Sequence, residues 1–558
     1  MRERKRLGDI LMLTGKLSPA QLDVALEIQS RTKKRLGEVL VEEGIISESE
    51  MIDTLSQQLS IKRVDIDSIF IDPEVARSIP KEVAKKHSLI PIYIKDDKIT
   101  VAMTDPLNVF AIDDINFITK KRVEPVITSR ESIEKSIEFY FSKQATDKAI
   151  EDLKKEYNIN LDVKSDLNAV DDIQNAPAVR LTNSIINQAI NIRASDIHIE
   201  PFENSVVVRY RVDGVLSESA RIPQALYSSV STRIKIMAEM NIAEKRIPQD
   251  GRIEMEINSR AYDFRVSSLP TVFGEKIVIR ILDRSSFLFK REMLGFTDHE
   301  NILMDKIIRM PYGIVLLTGP TGSGKTTTLY TILNEVNQPD KNIVTVEDPV
   351  EYMLEGINQV QVNNKAGLTF AAGLRSILRQ DPDIIMVGEI RDEETAQIAV
   401  RAAITGHLVL STLHTNDAPG AITRLVDMNI EPYLVADAVV GVIAQRLIRK
   451  VCPACREKYT ADEGELRILK LDEPVDLYRA KGCHLCNKTG YKGRLAIHEV
   501  MFIEREHRVL IESGGNAEEL RTVASQKGMT SLFESCKHRV LDGTTTIQEM
   551  VKTVYARD

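Results

Sequence analysis

The run Gly319-Pro320-Thr321-Gly322-Ser323-Gly324-Lys325-Thr326 has the residue types and spacing that phosphate binding needs. Its glycines remove the side chains that would hold a phosphate off the backbone, so N–H groups can cradle the oxygens. Lys325 supplies a point charge for the β- and γ-phosphates of a nucleotide, and the Thr326 hydroxyl can ligate Mg²⁺. Thr327 extends the same contact surface. The apolar stretch at 314–317 reads as a buried strand, and TTTLYTIL reads as a helix whose N-terminus adds positive potential.

Carboxylates and histidines follow at strand ends. NIVTVEDPVEY reads as a short strand delivering Glu347 and Asp348, and DPDIIMVGEIRD as a buried strand ending at Gly388-Glu389. Carboxylates at the C-terminal ends of strands lie where open α/β sheets bind ligands. Glu389 is the candidate to orient or polarise a water. A generic phosphate loop is accompanied by an Asp where this chain has Gly388-Glu389, so the Mg²⁺-side carboxylate is expected to be Glu347, with Asp348 second. HLVLSTLHTN is a third strand, bracketed by His407 and His414, which could sense or stabilise a γ-phosphate.

Four of the five cysteines form another constellation. Cys452-x-x-Cys455 and Cys483-x-x-Cys486 are two knuckles separated by 27 residues. Such pairs complete a tetrahedral thiolate site suited to Zn²⁺ and closed to further ligands, hence structural. Cys536 stands apart as a lone thiol.

These residues need several folded bodies to position them. The chain has 558 residues, 43% hydrophobic and 28% charged, enough for roughly three to five domains. Lys+Arg number 74 and Asp+Glu 82, a formal charge of −8, which disfavours nucleic acid as a partner. No apolar run approaches the ~18–20 residues of a membrane span. The basic start MRERKRLGDI lacks the apolar core of a signal peptide, so a cytoplasmic protein is expected.

Residues 6–29 and 35–58 are an internal repeat of period 29, identical at eight of 24 aligned positions. Each repeat reads as two short helices. Gly15 and Gly44 end the first helix, and Ser18 and Ser47 cap the second with Gln21 and Glu50 three residues on. Within 1–141 a small α/β module follows, with a hairpin about Asp96-Asp97. Residues 142–176 hold eight acidic and five basic residues and no glycine, and read as a polar linker. A second α/β domain is expected over 177–285. A phosphate-loop domain with a mostly parallel sheet follows over 286–450, then the cysteine insert at 451–490 and a helical C-terminal region at 491–558.

GPTGSGKTTTLY, TVEDPVE, DPDIIMVGEIRD and GHLVLSTLHTN, in that order, resemble the Walker A, Asp, Walker B and His boxes of the secretion ATPases that drive type II secretion and type IV pilus assembly. The resemblance covers almost the whole chain. It implies a multidomain α/β protein: an N-terminal domain of tandem-repeat helices plus an α/β module, a PAS-like α/β domain, and a RecA-like domain with a zinc-binding insert and a helical C-terminus. It implies a cytoplasmic homohexamer, peripheral at the inner membrane, that hydrolyses ATP with Mg²⁺ and acts on an inner-membrane platform protein. Arginines from the PAS-like domain are implied to reach the nucleotide. Arg265 and Arg280 match best, with Arg209, Arg211, Arg246 and Arg252 behind them. The insert resembles that of secretion and pilus-extension members rather than retraction members.

The repeats resemble the tandem motifs of the MshEN domain, a cyclic-di-GMP receptor. Arg6, Leu7, Gly8 and Gln29, with Arg35, Leu36, Gly37 and Gln58, are the implied ligand residues. Arginines can pair with phosphates or stack on guanine, and the amides offer hydrogen bonds. The competing reading is a helical docking module. Pilus assembly is the leading expectation and type II secretion the alternative. A cyclic-di-GMP-responsive scaffold that only binds nucleotide, and a nucleic-acid translocase, are the rivals of other classes.

Overall fold

The structure is a computed structural model. It describes the chain except residues 1–10, 13–15, 33–35, 60, 67–68, 70, 135, 138–139, 142–145, 147, 154–176, 258–259, 284–289, 484–485, 487 and 555–558. The chain divides into two compact units. One is Met1–Leu282 with Cys483–Leu485, the other Asp283–Gly482 with Cys486–Asp558.

In the first unit, helices Pro19–Thr32, Leu36–Glu42 and Glu48–Leu59 form from the repeats. Both expected capping boxes are present. The Gln21 amide donates to Ser18 Oγ and the Ser18 amide to Gln21 Oε1; Ser47 and Glu50 repeat the exchange. Gly44 has φ +65° and lets Ile45 N–H return to the Leu40 carbonyl, closing the helix end. Gly15 lies outside the described residues. Leu11, Leu17, Ala25, Val39, Leu40, Ile46 and Met51 are the repeats' shared core.

The α/β module is the three-stranded sheet β1 (Leu89–Lys95), β2 (Lys98–Met103) and β3 (Arg122–Ile127). The hairpin forms at Asp96, which adopts φ +52°.

Next comes a six-stranded sheet of β4 (Asp196–Pro201), β5 (Ser205–Val212), β6 (Val215–Pro223), β7 (Gln249–Ile257), β8 (Arg260–Thr271) and β9 (Gly274–Asp283), in the order β6-β5-β4-β9-β8-β7. Period-two alternation explains its two faces. Ile197, Ile199, Val208, Tyr210, Phe264, Ile277 and Ile279 pack under helices Pro177–Asn191 and Tyr227–Met237. Ala149, Ile150 and Leu153, placed in the expected linker by the sequence, are buried in this same core. Lys235 and Glu275 form a buried ion pair at 2.8 Å, with Ser268 Oγ donating to the same carboxylate.

The second unit is built on β10 (Gly313–Thr318), β11 (Ile343–Glu347), β12 (Asn358–Gln361), β13 (Ile384–Val387), β14 (Leu408–Leu413), β15 (Val439–Val451) and β18 (Tyr491–Phe502), in the order β12-β11-β13-β14-β10-β15-β18. All neighbours are parallel except β15 and β18. Along β10, Ile314 and Leu316 enter one core while Val315 and Leu317 enter another, so both faces are covered by helices. Between β15 and β18 the cysteine insert carries the hairpin β16 (Arg456–Thr460) and β17 (Asp476–Ala480).

Residues 491–502 correct the expectation of a wholly helical 491–558. They form β18, laddered on β15 from Gly441↔Phe502 to Val451↔Tyr491, so the phosphate-loop sheet continues past the insert. His498 and Glu499 break the apolar run LAIHEVMF and hide its strand character, but both are buried. Helices resume at Arg505–Glu512.

His498 is stacked on Phe296 at 3.7 Å, and neither ring nitrogen has a hydrogen-bond partner. Burial, then the Arg539 charge, pushes its pKa down to about 3. The native state therefore resists a proton that the unfolded chain takes up below about pH 6.5. Stability from this site is complete above that pH and falls by about 1.4 kcal/mol per pH step down toward 3. Urea midpoints at pH 5 and 7 should differ less for His498→Phe than for the wild type; equal differences would contradict the burial argument.

Candidate nucleotide and metal sites

Parallel strands place all their C-terminal ends on one edge, and that edge assembles the chemistry. Thr318 ends β10 and starts the phosphate loop, Glu347 ends β11, Glu389 lies two residues past β13, and His414 directly follows β14. The loop wraps into helix Lys325–Val336 with Gly324 at its N-cap, φ +90°. Gly319 is equally constrained: a β-carbon there would lie 2.4 Å from the Gln445 carbonyl oxygen. Ser323 is buried and its Oγ has no hydrogen-bond partner. A cradle of glycines around an orphaned hydroxyl, at a helix N-terminus, fits a phosphate.

Lys325 Nζ donates to the carbonyls of Gly319 (2.7 Å) and Pro320 (3.2 Å). Burial holds its pKa below the usual lysine range, and the nearby Glu389 carboxylate opposes that shift. The Glu389 side chain is only 15% exposed; Arg391 Nε lies 2.6 Å and His414 Nε2 3.4 Å from its Oε2. Lys325, Glu389 and His414 are therefore one electrostatic group.

Two expected site residues are corrected. His407 sits at the start of β14, and its carbonyl accepts from Gly313 N–H, at the opposite edge from the loop. β14 spans six residues, which puts the two histidines roughly 20 Å apart. His407 Nδ1 instead contacts the Ala402 carbonyl at 2.9 Å. Glu347 is 3% exposed and its carboxylate is already engaged: Tyr330 OH donates to Oε2, and Thr345 Oγ1 and Gln359 Nε2 donate to Oε1 at 2.6 and 3.1 Å. It braces the helix after the loop against β11 and β12, while Asp348 beside it is exposed.

Sequence reading also missed Gln445, whose side chain bonds both the loop and its helix. Its signal was a lone amide inside the apolar run VVGVIAQRLI.

The arginines belong to the first unit. On the polar face of its six-stranded sheet, Asp196 stands opposite both Arg211 and Arg280, and Arg252 opposite Arg265. Arg280 Nε donates to Asp196 at 3.1 Å while its side chain stays 61% exposed. Arg252 is held by Asp263 through two bonds, Arg246 by Glu244 through two, and Arg209 by Glu200.

The four sulfurs of Cys452, Cys455, Cys483 and Cys486 all lie within 4.8 Å of one another. Cys455 and Cys486 Sγ are 3.8 Å apart, about the edge of a tetrahedron with ~2.3 Å metal–sulfur bonds. The Gly490 amide points at Cys486 Sγ at 3.1 Å, as a thiolate would favour. This geometry fits Zn²⁺. Of the repeat residues expected to meet cyclic-di-GMP, Arg6, Leu7, Gly8 and Arg35 lie outside the described residues; Gln29, Leu36, Gly37 and Gln58 are half-buried on the repeat helices.

The profile of the Type II/IV secretion system protein family matches residues 171–552, well over half the chain. The chain belongs to the Type II/IV secretion system protein family. A second profile, the MshEN domain, matches residues 59–147, the module after the repeats. The type IV pilus assembly ATPase PilB of Myxococcus xanthus is 45% identical over 98% of both chains. The type II secretion system protein E of Pseudomonas aeruginosa is 52% identical over 68% of this chain and 75% of its own. Among solved structures, the Yersinia pseudotuberculosis ATPase DotB aligns with TM-score 0.51 at 19% identity, over 67% of this chain and 92% of that one, a likeness of fold. This member of the Type II/IV secretion system protein family is an ATPase. Among its described residues no helix is long and apolar enough to cross a membrane.

Proposed function

We propose that this ATPase powers type IV pilus assembly, as a homohexamer on the cytoplasmic side of the inner membrane that passes domain motion to a platform protein and so extrudes pilin. The end-to-end similarity to the Myxococcus relative, 45% over 98% of both chains, carries this reading. Type II secretion is the second reading, favoured by the higher identity of the Pseudomonas relative over a shorter span.

In this reading ATP binds on the phosphate loop, with Lys325 at the β- and γ-phosphates and Thr326 and Asp348 toward Mg²⁺. Bound Mg²⁺ supplies charge neutralisation on the phosphates. Glu389 holds the attacking water by accepting its proton, with His414 beside it. Arg265 and Arg280, from the 177–285 domain, balance charge on the transferring phosphoryl group once the domains close. Residues 451–490 fold around structural Zn²⁺.

The N-terminal domain, residues 1–141, takes cyclic-di-GMP through the repeat residues and tunes the motor. Calorimetric titration of cyclic-di-GMP into the full chain should show binding that Arg6→Ala/Arg35→Ala abolishes. No binding to the folded wild type would leave the repeats as a docking module and shift weight to type II secretion.

A further inference from the structure

Gln445 is 2% exposed in the middle of β15. A buried primary amide must find partners for both ends of its polar group. Here both ends turn to the phosphate loop and its helix. Nε2 donates to the Ser323 carbonyl at 2.8 Å, and Oε1 accepts from Thr328 Oγ1 at 2.7 Å. The same residue closes on the loop's first and last glycines. β-Carbons on Gly319 and Gly324 would lie 2.4 Å from Gln445 O and 2.8 Å from Gln445 Nε2.

A trans peptide is planar, with its C=O and N–H pointing to opposite sides. Fixing the Ser323 carbonyl against Gln445 therefore turns the Gly324 N–H away from β15, toward the concave side of the loop. Gly324 can follow this demand because its φ is +90°. Thr328, one turn into the helix, fixes the amide from the other side. The Ser323 N–H bond to the Pro320 carbonyl and the Thr328 N–H bond to the Gly324 carbonyl hold the flanking peptides, and Gln445 holds the 323–324 peptide itself.

We propose that Gln445 is a positioning residue for diphosphate recognition: it orients the 323–324 peptide so that the Gly324 N–H meets the β-phosphate. The inference rests on the reading that residues 319–326 hold phosphates. Gln445 acts through the backbone and does not touch the nucleotide.

The test titrates the full-length protein with fluorescently labelled ADP, displaced by unlabelled ADP or AMP. Gln445→Met keeps the side-chain length and loses both bonds; Gln445→Glu keeps an acceptor for Thr328 and loses the donor. Both should weaken ADP binding by about tenfold or more and leave AMP displacement unchanged, because AMP lacks the β-phosphate. ADP affinity within about twofold of the wild type, or equal losses for ADP and AMP, would overturn the proposal. Should neither variant assemble, Thr328→Val and Thr328→Ser test the link from its other end. Weakened ADP binding in the valine variant alone supports it, and equal ADP affinities overturn it. Lys325→Ala separates the two levels. If it leaves ADP binding intact, the phosphate-loop reading fails; if it abolishes binding while Gln445→Met does not, only the role of Gln445 fails.

Discussion

Glu389→Gln is expected to retain ATP binding and to lose turnover by about a hundredfold or more. The substitution preserves shape and removes only the capacity to accept a proton. The phosphate loop and Lys325 are untouched, so ground-state affinity persists. The carboxylate is well placed for the role: it lies past the C-terminal end of β13, is 15% exposed, and is flanked by Arg391 at 2.6 Å and His414 at 3.4 Å. Steady-state phosphate release, measured beside equilibrium ATP binding, checks both halves. Turnover within about threefold of the wild type would remove Glu389 from the reaction.

Cys452→Ser should empty the cysteine site. Cys452 is fully buried and its sulfur is one corner of the four-sulfur cluster. A hydroxyl cannot replace a thiolate there, and structural Zn²⁺ sites contribute on the order of 10 kcal/mol to folding. Metal content by elemental analysis should fall from about one zinc per chain to near zero. Limited proteolysis should then cut within 456–490, where the hairpin β16–β17 hangs between the knuckles. Cys536→Ser is the control. Cys536 is buried, its thiol pushed up to about 12 chiefly by burial, so it stays protonated and is no metal ligand. Zinc retained in the Cys452 variant, or lost in the Cys536 variant, would contradict the assignment.

Local signals with a stated mechanism were legible in the sequence. The capping boxes at Ser18 and Ser47, the Asp96 turn, the strands ending at Thr318, Val387 and Leu413, and the paired cysteine knuckles all form. What the sequence obscured depends on long-range direction. His407 and His414 look equivalent as the brackets of one strand, and only the parallel register with β10 shows that they sit at opposite edges. Glu347 looked like a metal carboxylate because it ends a strand, but Tyr330 and Gln359, 17 and 12 residues away, already engage it. β18 was hidden because two polar residues interrupt its apolar pattern, and their burial is decided by partners from elsewhere in the chain. The Glu499 carboxylate, for instance, accepts from the Ala418 and Leu532 amides.

The most direct test of the account is a count of surface pili on cells of the source organism that carry Glu389→Gln in place of the wild-type chain. The account predicts bare cells with the variant protein present at normal level and protein secretion unchanged. Pili at wild-type number would contradict it, and pili retained with secretion lost would assign the motor to type II secretion instead.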